Sequence, residues 1–438
     1  MSSEESPHTP NGMPFLGHGL EYARDPIAAI EKWGEQGDIV RLEYPGQSFY
    51  LVTGPSYIQE ILVKKHGSFT IGPAQRESFE GITDHAVNTS TGSDWERRRK
   101  AINPVFTGDT VETYRGRMIS EITTSVEAWE DGETFDLHRE MRLVTMRMLA
   151  DTLLGIDVRG DEDVIIAASD SLIDRANFRR IGRYLPDWVP TPTDRRFERK
   201  VRALDEYVAE CIAHQRRTEY GDDVCSVLLE ASDRGVLSER EVKHNLVGLL
   251  LAGTSSPGGT LTHAWRLLAA HPSVRRSLVA EFESVASEGR LSAADVDELT
   301  LTRNVLSETL RLYPPTVGVN RQATEPVTIG EYDFPERAQF IMPQWVPQRD
   351  DRFWSDPESF DPSRWERDVD RPQFAYFPFS GGPRFCPGKK VAREEMTIAL
   401  AQMVGHVDLE VDVDGAVEFT PSMTLRPKTE HRGTVRRR

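Results

Sequence analysis

Residues 377–390, FPFSGGPRFCPGKK, set Cys386 in a run of glycines and prolines, and Cys386 is one of only three cysteines in 438 residues. A structural thiol asks only for an apolar pocket. A sulfur held as an anion and bound to something asks for amide donors, room and positive charge. This stretch offers all three. Gly381 and Gly382 permit a backbone that turns its N–H groups toward the sulfur. Pro387 is expected in the first turn of a following helix, where its missing N–H costs nothing. The positive end of that helix then favours the thiolate. A buried structural cysteine beside a glycine-rich turn is the competing reading.

Outward from that loop, composition narrows the function classes. Cys211, Cys225 and Cys386 are too few and too odd in number for a disulfide framework, and no CxxC pair suggests zinc. A formal charge of -17 argues against nucleic acid as a partner. Nine of the 53 basic residues are Lys, and an acidic, Lys-poor surface fits a protein kept soluble at high salt, as in a halophile. The polar start, MSSEESPHTPNGMPFLGHG, has neither a basic flank nor an apolar stretch, so no signal peptide or membrane anchor is expected. No apolar run approaches the roughly 18 residues of a membrane span. A cytoplasmic protein is expected.

The periodicity is mostly helical. RLVTMRMLADTLLG, VRALDEYVAECIAHQRR and VKHNLVGLLLAG repeat apolar residues at three- and four-residue spacing. HPSVRRSLVAEFESVAS does so after a His-Pro helix start. Short strand-like runs such as DIVRLEY, SFYLVTG and VTIGEYDFP lie toward both ends. The expectation is a mainly α chain with a small β region (α+β), one catalytic domain over 1–438. Its β-containing part is drawn from about 1–70 and 315–345 plus C-terminal strands. Its helical part is placed at about 71–314 and 386–406.

The loop reads Phe379-x-x-Gly382-x-Arg384-x-Cys386-x-Gly388 and resembles the haem-thiolate signature of the cytochrome P450 superfamily, in its soluble prokaryotic form. The resemblance implies haem b sandwiched between a long distal helix and the cysteine loop, with Cys386 as iron ligand. Gly388 would let the flat macrocycle approach, Arg384 would pair with a propionate, and Phe379 would shield the sulfur. A thiolate ligand pushes electron density onto iron and favours O–O cleavage. Other segments match in family order. Glu308 and Arg311 in SETLRLYPP share a helical face, and with Arg364 in FDPSRW they resemble the family's core Glu–Arg–Arg network. Trp95 and Arg99 in GSDWERRRK, and Arg321 in GVNRQAT, match propionate-binding positions. A solvated basic surface is the reading for Arg97, Arg98 and Lys100.

The distal helix departs from the family. Ala252-Gly253-Thr254-Ser255-Ser256-Pro257 stands where the family has Ala-Gly-x-acid-Thr-Thr. Ala252 and Gly253 leave space for dioxygen or substrate. Thr254, Ser255 and Ser256 are the catalytic candidates, with Ser256 keeping a hydroxyl for proton management. Pro257 frees the Gly253 carbonyl and is expected to kink the helix. Gly258 and Gly259 are expected to weaken it.

Phe79, Val317, Val319 and Met423 are expected to face a small apolar organic substrate. The implied function is a monooxygenase using dioxygen, with electrons from a ferredoxin or flavodoxin and its reductase, because no such region adjoins residues 1 or 438. Arg97, Arg98, Lys100, Lys389, Lys390 and Arg393 are expected to steer that partner. A monomer is expected. Two alternatives stay open: a peroxygenase or redox-neutral isomerase of the same fold, and a non-catalytic haem or ligand carrier.

Overall fold

The computed structural model describes residues 6–13, 17–175, 191–413, 417–420 and 424–438. The chain opens with α1 (Gly19–Arg24), α2 (Pro26–Gly34), the hairpin β1 (Ile39–Tyr44) and β2 (Gln47–Val52), then α3 (Pro55–Gln59), β3 (Phe69–Ile71) and α4 (Pro73–Ser78). A helical stretch follows: α5 (Gly92–Ile102), α6 (Gly108–Glu127), β4 (Thr134–Asp136), α7 (Leu137–Leu149), α8 (Glu162–Arg175), α9 (Pro192–Gln215) and α10 (Val224–Asp233). It continues through α11 (Glu239–Ala270), α12 (Pro272–Val285) and α13 (Thr300–Leu312). Then come β5 (Gly318–Ala323), β6 (Val327–Ile329), β7 (Tyr332–Phe334) and β8 (Gln339–Pro343). Past the cysteine loop lie α14 (Lys389–His406), β9 (Val407–Val411) and β10 (Arg432–Arg437).

Local chemistry accounts for the boundaries that matter to the site. Ser238 caps α11: its Oγ accepts from the Glu241 N–H at 3.3 Å while its own N–H donates to Glu241 Oε2 at 2.7 Å, a reciprocal arrangement that satisfies two otherwise orphaned donors. Asp136 caps α7 through the amides of His138 and Arg139. The 32 residues of α11 give a rod of about 48 Å at 1.5 Å per residue, long enough to cross the whole core.

That core is helical. Apolar faces of α6, α7, α11 and α14 meet around Met141, Val144, Leu250, Leu261, Trp265 and Ile398. A second apolar cluster, including Ile61, Phe69 and Phe340, lies with the main sheet. The sheet runs β1-β2-β8-β5-β3, with β2 and β8 parallel and the other neighbours antiparallel. It therefore joins residues 39–71 to 318–343. The three-residue β4 lies inside the stretch read as helical, because it pairs with β10 from the far end of the chain, a partner that local periodicity does not report.

Candidate functional site

The 377–390 loop is held by its own backbone. Cys386 N–H donates to Phe379 O at 3.0 Å, and Lys389 N–H donates to Cys386 O at 3.3 Å. Gly382 has φ +66°, and a Cβ there would stand 1.7 Å from the Leu62 carbonyl oxygen, so only glycine fits. Gly388 is the reverse case: the nearest atom to a Cβ would be a Phe106 ring carbon at 4.0 Å. α14 starts at Lys389 with Gly388 as its cap, so Pro387 lies before the helix and not in its first turn. Its fixed φ instead serves a tight turn from Cys386 to Lys389, where proline suits the second position.

Cys386 is exposed and lines a large cavity. Burial pushes its thiol above the ordinary value, against the Gly388 amide and the positive charges of Arg99 and Lys389. The helix end and amides alone therefore do not make the thiolate expected from the loop. A coordinating cation would, because a metal-bound thiol is deprotonated outright.

The cavity, about 1000 Å³, runs from Cys386, Phe379 and Gly388 to Ala252, Gly253, Ser255 and Ser256 on α11. Ser255 Oγ and Ser169 Oγ of α8 are 2.8 Å apart. Ser256 lines the same cavity, and its carbonyl accepts from Thr260 Oγ1 at 3.0 Å. Thr254 does not join them. It is fully buried, and its Oγ1 donates back to Leu250 O at 2.6 Å, because the helical turn points it toward α7. The helix runs unbroken through Pro257. Gly258 also has a packing reason: a Cβ there would lie 2.8 Å from Arg142 Cα on α7.

Three guanidiniums converge on the cavity wall. Arg384 stacks over Trp95 at 4.4 Å and donates to Ser90 O at 3.1 Å. Arg99 lies over Phe385 at 4.6 Å, and Arg321 donates to Asn320 O at 2.8 Å. Burial lowers all three; Arg384 further depresses Arg321, and Arg99 further depresses Arg384, bringing Arg321 and Arg384 to about 10. Among the described residues no carboxylate pairs with any of them. Buried, unpaired positive charge of this kind is costly. A flat group carrying two carboxylates would relieve it, and the open space over Gly388 leaves room for its plane. The donor set therefore fits haem.

Below the cavity, Glu308 binds Arg311 at 2.8 and 3.0 Å and Arg364 at 2.8 Å, all three buried. Arg311 also donates to the carbonyls of Gln348, Pro357 and Ser359, bracing the segment that leads to the loop.

Phe79, Val317 and Val319 line the cavity with Leu149, Leu153 and Leu172; Met423 lies outside the described residues. Two basic residues are not where a docking surface needs them. Arg97 and buried Arg98 bind the Glu241 carboxylate at 2.5 and 2.7 Å. Lys100, Lys389 and Lys390 are exposed. Two cavity residues escaped the sequence reading. Ser169 sits in no motif. Glu395, in the charged run REEM, is buried, its carboxyl is raised by that burial, and Oε1 has no partner among the described residues.

Comparison with known proteins is consistent along the chain. The family model described as Cytochrome P450 matches residues 7–432. Cyclooctatin synthase of Streptomyces melanosporofaciens is 30% identical over 425 residues, covering 95% of this chain and 92% of that protein. Pentalenene oxygenase of Streptomyces avermitilis is 27% identical over 416 residues, covering 93% and 92%. Cyclooctat-9-en-7-ol 5-monooxygenase of Streptomyces melanosporofaciens is 27% identical over 416 residues, covering 91% and 88%. With the cysteine loop, the arginine-lined cavity and the long crossing helix in place, the chain belongs to the cytochrome P450 family.

Proposed function

We propose that Cys386 supplies the thiolate of this haem-thiolate monooxygenase, and that Trp95, Arg99, Arg321 and Arg384 hold the haem carboxylates. The observation that carries the reading is one cavity lined by Cys386, three arginines with no carboxylate partner among the described residues and the small residues of α11. The family binds haem b through a cysteine and acts as monooxygenases. When bound, haem supplies dioxygen reduction, one oxygen atom entering the substrate and the other leaving as water with two electrons and two protons. The chain's own part is positional. Phe379 and the Cys386 amide bond keep the sulfur in place, and Gly388 gives the macrocycle room. Ala252 and Gly253 leave space above it, and the Ser255 and Ser256 hydroxyls hold protons at Oγ.

The substrate we propose is a terpenoid. Apolar walls at Phe79, Val317 and Val319 suit one, and the names of similar proteins refer to pentalenene and cyclooctat-9-en-7-ol. The electron donor we propose is a separate acidic ferredoxin or flavodoxin meeting Lys100, Lys389 and Lys390.

The test is the visible spectrum of the reduced, CO-bound protein, then a substrate screen by spin-state shift with pentalenene and cyclooctat-9-en-7-ol. The unaltered protein should give the thiolate-type band, and Cys386→Ala should lose it. An unchanged band in Cys386→Ala would overturn the assignment, and the absence of any spin shift would overturn the substrate class.

A further inference from the structure

Two neighbouring side chains near the start of α11 grip a cavity wall that is otherwise built of turns. Asn245 Oδ1 accepts from Val87 N–H at 3.0 Å, and His244 Nδ1 accepts from His85 N–H at 3.2 Å. Asn245 Nδ2 donates to Glu241 O at 2.7 Å, which orients the amide so that its oxygen faces Val87. The same Glu241 holds Arg97 and Arg98 of α5, the helix carrying Trp95 and Arg99. One turn further on, Gly248 packs beside the same segment: a Cβ there would stand in ordinary contact, 3.5 Å, with Thr83 Cγ2. Phe79, Ala86, Val87 and Asn88, all from residues 79–90, line the cavity beside Asn245.

We propose that His244 and Asn245 are positioning residues that set the wall formed by residues 79–90 and thereby the shape of ligand the enzyme accepts. The inference rests on reading the cavity as the haem and substrate chamber. The turns of 79–90 hold their own shape through bonds such as Ala86 N–H to Thr83 O and Ser90 N–H to Ala86 O. The amides of His85 and Val87 instead bond to α11, so these two acceptors fix where the segment stands against the rigid helix. An imidazole accepts only while neutral. Burial, then the charges of His85 and Arg240, hold His244 at about 4, so the acceptor is present at neutral pH. Neither residue touches the reacting atoms; each acts through the amide it holds.

The experiment uses the holoprotein and two probes that ligate the iron, imidazole and 4-phenylimidazole. Only the second carries a phenyl ring beyond the ligating imidazole, which makes it the probe sensitive to the shape of the wall. In the unaltered protein the amides of His85 and Val87 should exchange with deuterium slowly, and more slowly still with 4-phenylimidazole bound. His244→Leu and Asn245→Leu should each speed exchange at the amide they release by about fivefold, the worth of a typical hydrogen bond. They should also change the 4-phenylimidazole to imidazole affinity ratio by a similar factor. His244→Asn, whose Oδ1 replaces Nδ1, should restore both. Fast exchange at both amides in the unaltered protein would overturn the proposal, whether or not the leucine variants fold. So would loosened exchange with an unchanged ratio, or His244→Asn behaving as His244→Leu. If the reduced CO band is missing from the unaltered protein, the parent reading has failed; if the band is present and the ratio is unmoved, only this inference has.

Discussion

Glu308, a carboxylate sealed from solvent, receives five hydrogen bonds: two from Arg311, and one each from Arg364, the Trp365 indole and the Asp361 amide. Two buried cations depend on that single charge. Glu308→Gln keeps the shape and removes the charge, leaving Arg311 and Arg364 uncompensated. Breaking a buried pair by removing one partner costs about 3–5 kcal/mol. Denaturant unfolding should show a loss of that order, and a loss under about 1 kcal/mol would mean that the network stabilises less than its burial implies. Gly382 is another residue with no substitute, since its φ and the Leu62 carbonyl both exclude a Cβ.

At the scale of elements, α11 lines one side of the cavity with Ala252, Gly253, Ser255 and Ser256, and its oddities have separate causes. Gly253 lies against Leu149, where a Cβ would come within 2.4 Å of Cδ1, and Gly258 lies against the Arg142 backbone. Both glycines allow α7 and α11 to approach closely, so their helix-weakening cost of roughly 1 kcal/mol each is offset by packing. The hydroxyl pair Ser255–Ser169 stands where the family places an acid, and a hydroxyl is a poor proton source beside a carboxylic acid. Ser255→Glu should raise product formed per electron consumed and lower hydrogen peroxide release. Measuring both in a reconstituted reaction decides the point; more peroxide and less product would show that the serine pair is the better device here.

The whole molecule adds two effects that belong to no single element. The net charge is -17, yet Lys100, Lys389 and Lys390 remain exposed, a local reversal that suits the acidic donor proposed above. Changing Lys389 and Lys390 to Glu should slow haem reduction about tenfold at low salt, with the difference shrinking as salt rises. A salt-independent, unchanged rate would remove that surface from electron delivery. Buried histidines supply the second effect. Burial holds His263 at about 3 and His244 at about 4, and lowers His138 and His431 as well. Each is neutral when folded and takes a proton near 6.5 when unfolded. Their contribution to stability is therefore complete above about pH 6.5 and falls as pH drops toward the folded values, by up to about 1.4 kcal/mol per unit for His263, while the raised carboxyl of Glu395 acts in the opposite direction. Melting temperature should decline from pH 7 to pH 5, and less steeply in His263→Phe, which keeps a ring against Tyr313.

Sequence alone determined those features whose chemistry is local. Glycines and proline around Cys386 announce a bent backbone. Glu308 and Arg311 face one way because they are three residues apart on a helix, and three- and four-residue apolar spacing announces the helical core. Tertiary structure decided everything that needs a partner from far along the chain. It turned Thr254 away from the cavity, gave Ser169 to Ser255, spent Arg97 and Arg98 on Glu241, buried Glu395, and brought His244 and Asn245 to the amides of His85 and Val87. The reason is physical. Periodicity reports which face of an element is apolar, whereas a hydrogen bond across 86 or 158 residues exists only once packing has set two elements side by side.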